Sequence, residues 1–158
     1  LQGTAGIDPT QPVALGFSNG AGMVHELAME SVHFTGIAPI ISHMLANKTP
    51  EPGAAQVSVL QMSGTEDSLV PYDGGIGVLD HDFLPAEESS AEWAVHNGCD
   101  PVPYERASGS HDLLEWENCD AGHRVVHVRM NDVGHDMPGE IEGGSLSFLL
   151  EFLLASRE

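Results

Sequence analysis

Cationic side chains are nearly missing from this sequence. Five Lys and Arg stand against 24 Asp and Glu, a formal net charge of −19, and Lys48 is the only lysine. Such a chain repels a phosphate backbone, which argues against nucleic acid as a partner, and an anionic membrane surface is disfavoured for the same reason. Long apolar runs are missing as well, and none approaches the ~20 residues of a membrane span. Cysteine is scarce. Cys99 and Cys119 form no C-x-x-C pair, so zinc-ribbon and thioredoxin-like readings have no support. The many carboxylates never fall into a D-x-D-x-D-G calcium loop. The acidity therefore reads as a solvated surface, suited to salty surroundings that screen self-repulsion. No metal and no organic cofactor is expected.

What is present is a globular composition. Apolar residues make up 41% and charged residues 18% of 158, enough for one domain with its own core, taken as residues 1–158. A bridge between Cys99 and Cys119 would contribute about 3 kcal/mol and point to an oxidising compartment, with two buried free thiols as the alternative. The chain opens without Met and without a basic-then-apolar segment, so a secretion signal is expected to have been removed or to lie outside this sequence.

Residues 1–11 are small and polar, with Asp8-Pro9 marking a turn. Short apolar runs at 12–17, 34–41, 56–62 and 124–130 read as buried strands. Helical patterns follow from Asn19 to about Ser31, within 84–96 and over 144–157. Residues 99–122 look irregular, with one hairpin. Strands alternating with helices predict an α/β layer fold with a small, mostly parallel sheet covered on both faces.

Residues 16–20 read Gly-Phe-Ser-Asn-Gly, a G-x-S-x-G word between a predicted strand and a predicted helix. That frame is what a nucleophile elbow requires. Ser18 is expected at a strained, exposed turn, with both glycines needed because a Cβ at either would strike the neighbouring strand or helix. The Asn19 N–H would then face an oxyanion from the first turn of the helix. A serine nucleophile needs a base, and the base needs an acid, in the chain order Ser, Asp, His on strand-end loops. Asp67 follows the 56–62 strand and His135 follows the 124–130 strand, so both fall on the rim that carries Ser18. Of the other histidines, His25 is expected to point away from that rim and His33 and His43 come too early in the order. His81, His96 and His111 are expected to be solvated, as are His123 and His127, a same-face pair.

The words GFSNGAGM around Ser18, SGTEDSLVPYDGG around Asp67, WAVHNGC at 93–99 and GHDMPG at His135 occur in this order. Together they resemble the α/β-hydrolase esterases related to polyhydroxybutyrate depolymerases and to feruloyl or acetyl-xylan esterases. The resemblance implies Ser18 as nucleophile, Asp67 as acid and His135 as base. It also implies a bridge from Cys99 to Cys119, and Val70 and Met137 against the substrate. Met137 stands where the family usually has Trp. The family carries further strands before the elbow, including the loop that supplies a second oxyanion donor, so a shortened α/β-hydrolase fold is expected.

With little room for a lid, a shallow open groove is expected. That favours polyesters, polyhydroxyalkanoate first and aromatic polyesters such as polyethylene terephthalate next. Feruloyl or acetyl-xylan esters, or a non-catalytic hydrolase fragment, are the alternatives. The free edge of the first strand suggests a homo-oligomer, and the cysteine pair and the resemblance together suggest secretion.

Overall fold

A computed structural model describes residues 10–137 and 144–157; the Asp8-Pro9 turn and the Pro138 and Gly139 of the histidine word lie outside them. The elements run β1 (Val13–Phe17), α1 (Asn19–Glu30), β2 (Gly36–Ile40), β3 (Ser58–Gly64), β4 (Gly75–Ile76), β5 (Asp82–Phe83), α2 (Ala86–His96), β6 (Tyr104–Ser108), β7 (His111–Trp116), β8 (Val125–Met130) and α3 (Ser145–Ala155). A six-stranded sheet in the order β1-β2-β3-β8-β7-β6 forms the centre. Its first four strands are mutually parallel, and β7 and β6 close it as an antiparallel hairpin. The expected α/β fold with a mostly parallel sheet is therefore present, with two strands more than the apolar runs revealed. The stretch 99–122 holds that extra hairpin.

The strands read as unbroken apolar runs because both sheet faces are covered. Successive residues of β3 divide between two cores: Val59 packs with Val24, Ala28 and Met29 of α1 and Trp93 of α2, while Leu60 packs with Leu149, Phe152 and Leu153 of α3. β7 and β8 divide likewise at Leu113/Leu114 and Val125/Val126. Among the described residues, β1 pairs with β2 alone, which leaves Leu15 and Phe17 more than 40% exposed on an edge strand. No helix among the described residues is long and apolar enough to cross a membrane. Cys99 and Cys119 are joined, tying the end of α2 to the loop before β8.

A polar network lies inside the apolar core on the α2 face. His127, in the middle of β8, is completely buried. Its Nδ1 meets Ser90 Oγ at 3.0 Å and its Nε2 meets Tyr72 Oη at 3.0 Å. Tyr72 Oη donates to Glu87, which also accepts from Arg129. Gln61 donates to the Ala86 carbonyl and accepts from Ser89 Oγ, whose oxygen in turn accepts the Met44 N–H. These bonds fix α2 over the sheet in one register. His127 is thus not the solvated partner of His123 that the same-face spacing suggested, because α2 covers that face.

Candidate active site

The segment after β1 makes a sharp turn. Ser18 sits at φ 50°, ψ −120°, a region costing a non-glycine residue about 1–3 kcal/mol, and α1 begins at the next residue. A bond from the Ser18 N–H to the Ile40 carbonyl holds the turn against the end of β2. The turn is possible because residue 16 has no side chain: a Cβ there would stand 2.1 Å from the Gly20 carbonyl oxygen. Gly20 is different, since a Cβ there meets nothing within 4 Å, so only one of the two flanking glycines is sterically required. Gly16→Ala is therefore expected to cost about 3 kcal/mol or more of stability, whereas Gly20→Ala, inside α1 with room for a Cβ, should be neutral or stabilising by up to about 1 kcal/mol, gauged by thermal or urea unfolding. Equal effects from the two substitutions would refute this account of the elbow.

Asp67 and His135 reach Ser18 from the ends of β3 and β8, adjacent parallel strands. Their loops are laced together. Thr65 N–H donates to the Met130 carbonyl, Glu66 N–H to the Val133 carbonyl, and Asp132 N–H to Thr65 Oγ1. Gly64 permits the approach, because a Cβ there would come within 2.3 Å of the Val133 carbonyl oxygen. The structure brings the three residues into one hydrogen-bonded line. Ser18 Oγ lies 2.7 Å from His135 Nε2, and His135 Nδ1 lies 2.7 Å from Asp67 Oδ2. The other Asp67 oxygen accepts the N–H groups of Leu69 at 2.8 Å and Val70 at 2.9 Å. The carboxylate is 7% exposed and wholly occupied as an acceptor. It therefore requires a proton on His135 Nδ1, which leaves Nε2 as an acceptor toward the serine hydroxyl. A hydroxyl so placed can lose its proton as it attacks an electrophile.

The Asn19 N–H opens α1 and has no hydrogen-bond acceptor among the described residues, so it is free to meet developing negative charge at the positive end of the helix dipole.

Beside the serine lies a cavity of about 320 Å³, the size of a small-molecule site rather than the shallow groove expected. Ser18, Asn19, Gly22, His25 and Met29 line it from α1, Ser42, His43 and Met44 from the loop after β2, and Val70 from the acid loop. Val78, Leu79, His81 and Phe83 of the β4–β5 hairpin close the far wall. Val70 was expected against the substrate, and it lines this cavity. Met137 is not one of its lining residues and stands 40% exposed, because the chain turns back after His135 through a bond from Asp136 N–H to the Gly134 carbonyl.

Two further expectations about histidine, for His25 and His111, are corrected here. His25 does not point away from the site but lines the cavity at 1% exposure, and His43 lies beside it at 2%. His111, expected in solvent, is 3% exposed in β7. Burial pushes the His25 pKa down to about 3, with His43 adding to the effect, and pushes His43 down to about 4, so both are neutral near pH 7. The missed signal for His25 was helical spacing: Ser18, Gly22, His25 and Met29 fall on one face of α1.

No protein-family profile matches the chain. Among curated proteins it is similar to "Feruloyl esterase B" of Piromyces equi, 30% identical over 137 residues, which take in 82% of this chain and 25% of that protein. It is also similar to "Putative esterase NocK" of Nocardia uniformis subsp. tsuyamanensis, 25% identical over 158 residues, with 88% of this chain and 46% of that protein covered. The chain therefore spans about a quarter and just under half the length of these distant relatives, both of which carry esterase names.

Proposed function

We propose that the chain hydrolyses carboxylic esters through an acyl-enzyme on Ser18. The observation that carries this reading is the hydrogen-bonded line from Ser18 through His135 to the buried Asp67, at the mouth of an apolar cavity. In the first half-reaction Ser18 Oγ bonds to the ester carbonyl carbon and its proton passes to His135 Nε2. Asp67 holds the imidazolium, and the Asn19 N–H receives the oxyanion. Collapse of the adduct breaks the ester C–O bond, and His135 returns the proton to the leaving alkoxide. Water, deprotonated by His135, then splits the acyl-serine, releasing the acid and restoring the hydroxyl.

For the substrate, we infer an ester whose acyl group is a single aromatic or short aliphatic unit seated in the cavity. Esters of hydroxycinnamic acids on plant polysaccharide belong to this class, and a curated relative is named a feruloyl esterase. A polyester substrate, such as polyhydroxyalkanoate or polyethylene terephthalate, is the second reading. It is favoured by the exposed apolar side chains Met23, Leu69, Ile76 and Leu79 on the segments around the cavity, which suit an apolar polymer surface. The Cys99–Cys119 bridge suits an extracellular setting.

The test is exposure to a fluorophosphonate, followed by a panel of p-nitrophenyl butyrate, methyl hydroxycinnamates and films of both polyesters. Covalent modification at Ser18 together with turnover of the soluble esters is expected. An unmodified Ser18 with no ester turned over would end the enzymatic reading, and release of acid from films alone would favour the polymer.

A further inference from the structure

The cavity wall is largely apolar; two buried histidines line it beside the polar Glu26, Ser42 and His81, and one of the two is held in a defined state. Trp93 is fully buried, and its indole Nε1–H donates to His25 Nδ1 at 3.1 Å. An indole nitrogen can only donate, so Nδ1 carries no proton and the proton of the neutral ring sits on Nε2. The two rings lie edge to edge in nearly parallel planes, with an interplanar angle of 17°, as an in-plane N–H···N bond requires. His25 Nε2–H is buried and meets no hydrogen-bond partner. The Ser42 carbonyl is close enough to oppose the pKa-lowering effect of burial, yet no bond of normal geometry joins it to Nε2. A buried donor left without an acceptor costs about 1–3 kcal/mol, a cost a ligand can remove. His25 stands two helical turns along α1 from Ser18, about 10 Å of helix at 1.5 Å per residue. An acyl group whose carbonyl carbon is at Ser18 Oγ and whose body extends along this face of α1 would bring its far end to the His25 ring that lines the cavity.

We propose that His25, held by Trp93 as the Nε2–H tautomer, is a specificity-determining residue that donates a hydrogen bond to an oxygen at the distal end of the bound acyl group. This rests on the ester-hydrolase reading and deepens it. The favoured substrates are esters of acids bearing a ring hydroxyl, an alkoxy or a carbonyl far from the scissile bond, rather than plain hydrocarbon acids. His43 also lines the cavity with neither ring nitrogen in a hydrogen bond of normal geometry, although the Pro71 carbonyl lies close to the ring.

The test compares two esters of matched shape, methyl 4-methoxycinnamate and methyl 4-ethylcinnamate, because an ether oxygen accepts and an ethyl group does not. The readout is the ratio of kcat/KM values within one protein, which is independent of how much of a variant is folded. The native protein is expected to prefer the methoxy ester about tenfold or more. In His25→Leu the ratio should fall to near one. His25→Gln, which keeps a donor, should restore part of it, and Trp93→Phe, which frees the tautomer, should lower it to an intermediate value. Equal rates on both esters in the native protein would overturn the proposal and leave the hydrolase reading standing. An undiminished ratio in His25→Leu would do the same. Turnover of neither ester while a fluorophosphonate still modifies Ser18 would overturn the cavity assignment, whereas an unmodified Ser18 would overturn both readings together.

Discussion

Ser18→Ala is expected to lower kcat/KM on p-nitrophenyl butyrate by about 10⁵- to 10⁶-fold, since the nucleophile is removed and only binding and the Asn19 donor remain. Asp67→Asn should cost about 10⁴-fold, for a more particular reason. The Asn oxygen can still accept the Leu69 and Val70 N–H groups that Asp67 Oδ1 now holds. Its amide NH₂ then faces His135 Nδ1, where a carboxylate oxygen stood at 2.7 Å. That donor forces the ring proton onto Nε2, opposite Ser18 Oγ, and the imidazole can no longer take the serine proton. The fold should be unaffected and the serine unreactive. Because the groups act as one unit, combining the two substitutions should depress the rate little further than Ser18→Ala alone. Steady-state kinetics and the unfolding midpoint of each variant check this. Ser18→Ala retaining more than about 1% of the native rate would show that the reaction runs elsewhere.

The parts of this site that were legible in the sequence are those whose physics is local. A strand, a tight turn and a helix are specified within residues 12–31, so Ser18 is found by its own neighbours. Asp67 and His135 are found by their distance past β3 and β8. The sheet was under-read because β6 and β7 form an antiparallel hairpin at its edge. β6 leaves Tyr104, Glu105 and Ala107 exposed and so carries little apolar signal. The β4–β5 hairpin that walls the cavity was missed because each of its strands has two residues, too few to show any period. Most instructive are the histidines. A His in a polar stretch or on an exposed-looking helix is expected in water, and burial requires a partner. For His25 that partner is Trp93, 68 residues away, and for His127 it is Tyr72, 55 residues away. No window along the chain contains either pair, so only the folded molecule reveals that these rings are inside. The same limit applies to Gly20, whose steric role was inferred from the motif but depends on open space that the motif does not describe.

Those buried histidines lead to a large expected effect of pH on stability. His25, His43 and His127 are each 2% exposed or less, and burial is the leading cause that lowers their pKa values, to about 3, about 4 and about 3. In the unfolded chain each returns to an ordinary value near 6.5. The folded pKa is the lower one, so the stability these groups contribute is present above about pH 6.5 and is lost as pH falls toward 4, where the unfolded chain binds protons that the folded protein refuses. Between pH 7.5 and 5.0 each ring then costs about 2 kcal/mol, or about 6 kcal/mol for the three, a large share of the 5–15 kcal/mol typical of a whole domain. The acidic surface offsets this only in part. As pH falls, carboxylates lose charge and mutual repulsion weakens, which favours the compact state but also removes the charge that keeps copies apart near the sequence pI of 4.5. Urea unfolding at pH 7.5, 6.5, 5.5 and 5.0, all above that pI, should show the midpoint falling steeply below pH 6.5, with nearly three protons taken up per unfolding event at pH 5.5. His127→Gln, which keeps hydrogen-bonding capacity for Ser90 and Tyr72 without a titrating ring, should flatten the curve by about one proton. A midpoint that holds steady from pH 7.5 to 5.0 would mean that these rings accept protons inside the fold, and the neutral, tautomer-fixed His25 on which the cavity's specificity rests would fall with it.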